Sequence, residues 1–228
     1  MEDLGANMLI KCAFIRSAII SDGLTEIGKG TFYGCHNLET VVIPETVTKI
    51  GCYAFTYSGL KSIILPREST EIGKSAFRNC LNLKTVAIPS SVTKIGPLAF
   101  AGSGLRSIIL SDGRLTEIGE RAFWNCGNLE TMIIPETVTK IGPRAFAYSG
   151  LMAIILPHGL TEIGEYAFCG CRNLKAVAIP DSVTKIGPYA FAESGLKLII
   201  LPYQSNGLTE IGEDAFHDCR NLVVKYRN

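Results

Sequence analysis

Apolar side chains return along this chain at intervals that fit short strands joined by sharp turns. In Leu83-x-x-Val86-x-Ile88-Pro89 the large apolar residues Val86 and Ile88 alternate with Thr85 and Ala87, the period of a strand with one buried face. Pro89 ends the pairing because it has no N–H to donate. Val92 to Ile95 forms a second, shorter extended piece. Gly96 permits a sharp turn, and Pro97 to Phe100 suits one helical turn with proline at its first position. Phe100 then enters the interior from the far side. The segment predicts one coil of a stack, with parallel strands about 4.8 Å apart.

The coil recurs. Ile-Gly-x-x-Ala-Phe repeats with its Phe at 55, 77, 100, 123, 146, 168, 191 and 216, and Phe32 joins the series with Thr31 in place of Ala. Phe14 reads as a truncated further copy, which would place all ten phenylalanines at one repeat position. Two versions alternate. One is Cys-x-Asn-Leu-x-x-Val-x-Ile-Pro-x-x-Val-Thr-Lys-Ile-Gly, as in Cys80 to Gly96; the other joins Ser-Gly-Leu-x-x-Ile-Ile-Leu-Pro to Leu-Thr-Glu-Ile-Gly, as in Ser149 to Gly164. A unit of this size cannot bury its apolar face alone, so neighbours must stack into a quasi-one-dimensional array.

This signature resembles the BspA-type leucine-rich repeat, from about Phe14 to Leu222. The resemblance implies a leucine-rich-repeat solenoid, a right-handed superhelix of short parallel strands with one short helical turn per coil. It also implies a non-enzymatic surface or secreted protein that adheres to host proteins. The chain reads as a single domain over 1–228: truncated coils in 1–23, regular repeats in 24–216 and a terminating strand in 217–228. Met8 to Phe14 reads as a degenerate earlier coil, and neither end resembles a dedicated cap.

Composition narrows the classes. The 22 Lys and Arg against 21 Asp and Glu leave a net charge of +1, which argues against a nucleic-acid groove or an anionic membrane surface. The longest apolar runs, such as Leu151 to Leu156, fall far short of the roughly 18 residues of a spanning helix. Met1 to Phe14 lacks the basic start and apolar core of a signal peptide. Eight cysteines without convincing pairing favour a reducing compartment, and so the cytoplasm, against the surface location the family implies.

In a stack, each repeat position becomes a column. Glu26, Lys49, Glu71, Lys94, Glu117, Lys140, Glu162, Lys185 and Glu210 alternate in sign, so a one-coil slip would set like charges together. Cys35, Cys80, Cys126, Cys171 and Cys219 alternate with Ser58, Ser103, Ser149 and Ser194. Two coils apart, about 9–10 Å, these cysteines lie beyond disulfide reach. A row also cannot close a zinc tetrahedron, so they read as core. Cys12, Cys52 and Cys169 fall outside that column. The threonine file from Thr25 to Thr209 reads as cross-strand stacking.

The column expected to carry function is the outward strand position: Val42, Ile64, Ala87, Ile109, Ile133, Ile155, Ala178 and Ile200, with Leu198 beside its C-terminal end. A rim of Glu39, Lys61, Lys84, Arg106, Glu130, Met152, Lys175 and Lys197 flanks it. An exposed apolar strip with a polar rim marks an interaction site; the plainer reading is that β-branched residues pair well along a sheet. Trp124 is either an interface anchor or a half-buried ring. His36, His158 and His217 form no cluster, and no catalytic triad order, phosphate loop or metal spacing occurs. The expectation is a scaffold with no cofactor, no catalysis, no nucleic-acid partner and no membrane insertion. It binds an unidentified protein through the strand face, and its open edges allow self-association. The alternative is a structural or adhesive segment of a larger surface protein.

Overall fold

The computed structural model describes residues 12–202 and 208–227. They form a parallel β-solenoid with almost no helix. The short strands, Glu26–Ile27, Lys49–Ile50 and their successors to Glu210–Ile211, build one unbroken 9-stranded parallel sheet. The longer strands form separate ladders: Ser17–Ile19 with Thr40–Val42, Thr85–Ile88 with Ser107–Leu110, Thr131–Ile133 with Ala153–Ile155, and Ala176–Ala178 with Leu198–Leu201 and then Val223–Tyr226. Of the expected coil at Met8 to Phe14, only Cys12–Phe14 lies within the described residues, as a 3-10 turn.

The inward columns are buried through the middle of the stack and open in the last coil, where Ile211 is exposed and Phe216 half-buried. Phe32, Phe55, Phe77, Phe100, Phe123, Phe146, Phe168 and Phe191 are fully enclosed. Their rings form a continuous stack, with centroids 5.1–5.4 Å apart and planes within 10°. That geometry lies in the favourable range for aromatic pairs, worth about 0.5–1.5 kcal/mol each beyond burial. Phe14 does not belong to the stack. The register Ser17↔Thr40 sets Phe14 level with Asn37, and its side chain is 91% exposed.

The turn segment is not helical. In each coil the residues two before and two after the Phe take left-handed backbone angles, as at Tyr53 (φ 60°) and Tyr57 (φ 59°). Such residues break an α-helix and aim alternate N–H groups along the stack. Tyr53, Phe55 and Tyr57 donate to Lys74, Ala76 and Arg78 of the next coil at 2.8, 2.8 and 2.9 Å. Ala54, Thr56 and Ser58 close i−3 turns instead. The turn side is therefore a hydrogen-bonded ladder of its own, running opposite to the bonds that flank the short strands, where Thr70 donates to Thr48 of the preceding coil at 2.7 Å.

Glycine explains why two coil versions alternate. Ser-Gly-Leu turns are one residue shorter than Cys-x-Asn-Leu turns and cross directly beneath the preceding coil; a Cβ at Gly104 would overlap the Leu81 carbonyl oxygen. In the longer version Asn82 and Asn173 donate to the Gly59 and Gly150 carbonyls at 3.4 Å.

The polar columns are committed to the stack. The Thr48, Thr70, Thr93, Thr139, Thr161, Thr184 and Thr209 hydroxyls donate to the threonine carbonyl of the coil before, at 3.0–3.4 Å. Cys80, Cys126, Cys171 and Cys219 thiols donate to the Phe55, Phe100, Phe146 and Phe191 carbonyls at 3.0–3.1 Å. Each also touches the serine hydroxyl one coil back, as Ser58 to Cys80 at 3.3 Å. Burial pushes the Cys80 and Cys126 thiols up to about 11 and Cys171 up to about 12, so they stay protonated and inert. Cys169 is buried as well, and Cys52 is half-buried.

One cysteine expectation is overturned. Cys12 and Cys35 form a disulfide with Cα atoms 4.8 Å apart. The same register places Cys12 directly above Cys35, in the cysteine column, where the other coils have serine. Adjacent coils lie within bridging reach; alternate coils do not, and the remaining column cysteines are free. The disulfide removes the argument for a reducing compartment, since such bonds persist where conditions oxidise.

Two outcomes follow. The charge column pairs Glu26↔Lys49, Lys49↔Glu71 and so on in register, with ion pairs at Lys94–Glu71 (3.4 Å), Lys140–Glu162 (3.3 Å) and Lys185–Glu210 (3.1 Å). Replacing Lys49, Lys94, Lys140 and Lys185 by Glu lowers the melting temperature, and more so at low salt because screening is weaker there; an unchanged melting curve refutes the ladder. Cys12→Ser removes a cross-link over 23 residues, worth about 3 kcal/mol in the chain-entropy account. Amide exchange should accelerate in the first coils and stay unchanged beyond Phe100; protection unaltered in the first coils would show that the bridge holds nothing.

Candidate functional site

The long-strand face is built by alternation. In Ser107–Leu110 the side chains run exposed, buried, exposed, half-buried, so Ile108 enters the core while Ile109 faces solvent. Parallel register then lines the outward positions up: Ala87 beside Ile109, Ile133 beside Ile155, Ala178 beside Ile200. Exposure is 60% at Val42, 84% at Ile64, 65% at Ile109, 66% at Ile133 and 60% at Ile155. Solvent-facing β-branched side chains at these values lie well outside the core. Ala87 and Ala178 are exposed gaps in the file, and Ile200 and Leu198 are half-buried.

The file extends further than the repeat pattern indicated. Ile19 pairs with Val42 and is 80% exposed; the Ser-x-Ile spacing of Ser17 to Ile19 matches Ser107 to Ile109 and is the signal that reveals it. At the other end Ile200 pairs with Lys225, which closes the apolar file with a charge. Between the ladders, Lys61 to Leu65 carries Ile64 without regular strand pairing.

The rim is partly self-satisfied. Lys61 Nζ lies 2.8 Å from the Glu39 carboxylate, and this hydrogen bond, reinforced by the lysine charge, holds the Glu39 carboxyl below its usual value. Lys84 and Lys175 donate to the Leu81 and Arg172 carbonyls at 3.0 and 2.9 Å. These bonds hold the lysine heads to one side, leaving the isoleucine file uncovered. The surface so formed can bury apolar area against a partner, with charged neighbours to set orientation.

Trp124 is not part of this face. It follows Phe123 on the turn side, half-buried, packed with Tyr166 and Tyr189 against Ala147, Cys169 and Ala192. Among the described residues no group of His, Cys, Asp or Glu is placed to hold a metal ion, and no helix is long and apolar enough to cross a membrane.

Comparison with known proteins places the chain. The family model of the BspA type leucine rich repeat region (6 copies) matches residues 2–126 and 116–224. A leucine-rich repeat protein from Bacteroides ovatus is 32% identical with a TM-score of 0.80, over 91% of this chain and 54% of that one. A leucine rich cell surface protein from Faecalibacterium prausnitzii is 28% identical with a TM-score of 0.57, over 95% and 61%. This chain thus spans little more than half the length of these two relatives. The comparison with curated proteins gave no match. With a relative described as a cell surface protein and a disulfide in the first coils, the cytoplasmic expectation is not supported. A matching signature over nearly the whole length, the same solenoid and 32% identity to a solved relative identify the chain as a member of the BspA-type leucine-rich repeat family.

Proposed function

We propose that this chain is a non-catalytic protein-binding segment of a cell-surface protein, and that it holds its partner on the long-strand face. One observation carries the reading: a file of exposed isoleucine and valine side chains from Ile19 through Val42, Ile64, Ile109 and Ile133 to Ile155, none of which the core uses. Soluble proteins rarely leave so extended an apolar strip open unless something covers it. The half-buried Ile200 and Leu198 contribute less contact area, and the exposed Ala87 and Ala178 act as shallow pockets between larger neighbours. The surface location of the Faecalibacterium prausnitzii relative supports the same setting.

A second reading has an observation in its favour. The unbroken short-strand sheet and the phenylalanine stack, which continues to Phe216, make a stiff rod suited to serve as a spacer within a longer surface protein.

The variant Ile64, Ile109, Ile133 and Ile155 to Thr separates the two. Binding to a panel of purified extracellular host proteins on a sensor surface should fall at least tenfold from wild type, with light-scattering mass and melting curve recorded alongside. Binding that survives the four substitutions, or a panel that wild type ignores while both proteins remain monomers, favours the spacer. A wild-type oligomer that the variant turns into a folded monomer identifies a second copy as the first occupant of the face.

A further inference from the structure

The long strands all run the same way. Their N-terminal ends therefore share one rim of the isoleucine file, and their C-terminal ends share the other. The two rims carry opposite charge. At the N-terminal ends Arg16, Lys61, Lys84, Arg106, Lys175 and Lys197 stand with Glu39 and Glu130, six cations to two anions, a balance of +4. At the C-terminal ends Asp22, Glu45, Glu68, Asp112, Glu136 and Asp181 stand with Arg67 and Arg114, six anions to two cations, a balance of −4. The whole chain carries only +1, so the separation belongs to the face and not to the composition.

One coil shows it plainly. Arg106 and Asp112 lie at opposite ends of the strand Ser107–Leu110, both exposed. Neither has an ion-pair partner among the described residues. At about 3.3 Å per residue they stand roughly 20 Å apart, too far to reach each other. The same spacing recurs as Arg16 with Asp22 and as Lys175 with Asp181.

A strip with a basic edge, an apolar middle and an acidic edge is complementary to itself. Giving a second copy half a turn about an axis in the contact plane, along the stack, lays isoleucine on isoleucine. It also sets the basic rim of each copy on the acidic rim of the other, the paired contact of an isologous two-fold. Half a turn about an axis along the strands would set basic on basic and acidic on acidic, which repels. The size suffices as well. Coil spacing of about 4.8 Å from Ser17 to Val223, and about 3.3 Å per residue from rim to rim, make a face roughly 40 by 20 Å. That is on the order of the 800 Å² per partner of a standard stable interface. The phenylalanine rings on the turn side repeat at 5.1–5.4 Å, close to the strand spacing. The stack therefore bends little, and its face stays open to a straight partner.

We propose that the occupant of the long-strand face is a second copy of this chain, laid parallel to the first, with Arg106 of each copy on Asp112 of the other. The inference rests on the reading of this face as a protein-binding surface and names the partner.

Sedimentation equilibrium of the full chain, over a dilution series from the micromolar to the near-millimolar range, should show a reversible monomer–dimer equilibrium. Arg106→Glu sets Glu against Asp112, and Asp112→Arg sets Arg against Arg106. Each should weaken the dimer tenfold or more, with an unchanged melting curve at concentrations where the chain is monomeric. An equimolar mixture of the two single variants restores both opposite-charge contacts and should dimerise as the wild type does. That rescue arises only where residue 106 of one copy meets residue 112 of the other. A wild type that stays monomeric, a dimer that ignores either charge reversal, or variants that mixing does not rescue would each overturn the proposal. So would a dimer that survives Ile64, Ile109, Ile133 and Ile155 to Thr. The broader reading fails separately: a monomer that still binds a host protein through the isoleucine file keeps the protein-binding face and loses the second copy, while a monomer that binds none loses both.

Discussion

Everything in this molecule hangs on the hydrogen-bonded contact between one coil and the next. A coil of this length has too little interior to hold itself together. Its apolar side chains are buried only because identical columns lie above and below. The eight enclosed phenylalanines make the point, since each ring stacks on the ring of a neighbouring coil. Two sets of backbone bonds hold that spacing. The residues flanking the short strands donate toward the preceding coil, while the left-handed turn segments donate toward the following one. The interior is thereby locked from both sides of the solenoid.

This constraint decides where function can reside. Seven hydroxyls of the threonine file, and the Cys80, Cys126, Cys171 and Cys219 thiols with the serines beside them, are spent on axial hydrogen bonds, and the most deeply buried thiols are too weakly acidic to react. The Glu and Lys of the charge column neutralise one another. The outward position of the long strands is left uncommitted: the isoleucine file repeats with the fold and takes no part in the core.

The fold was legible because the repeat is strict. Leu83, Val86, Ile88 and Phe100 point inward where their spacing placed them, and the outward isoleucines follow from the same alternation. What spacing could not reveal has physical causes. The turn segments suit a helix by sequence, but axial bonding of alternate N–H groups requires left-handed residues such as Tyr53 and Leu98. Phe14 imitates the repeat, yet lies in an incomplete coil whose register is set by Ser17–Ile19 against Thr40–Val42. That same register brings Cys12 over Cys35, a pairing hidden while Cys12 was counted outside the column.

The central claim is that the isoleucine file is surplus to folding and therefore available to a partner. Neighbouring residues of one strand test it: Ile108, buried, and Ile109, exposed, each replaced singly by Ser and compared by chemical unfolding. The account predicts that Ile109→Ser stays within about 0.5 kcal/mol of wild type, whereas Ile108→Ser costs several kcal/mol by placing a polar group in the core. Equal losses at both positions would contradict it, and would show that the outward isoleucines hold the sheet together.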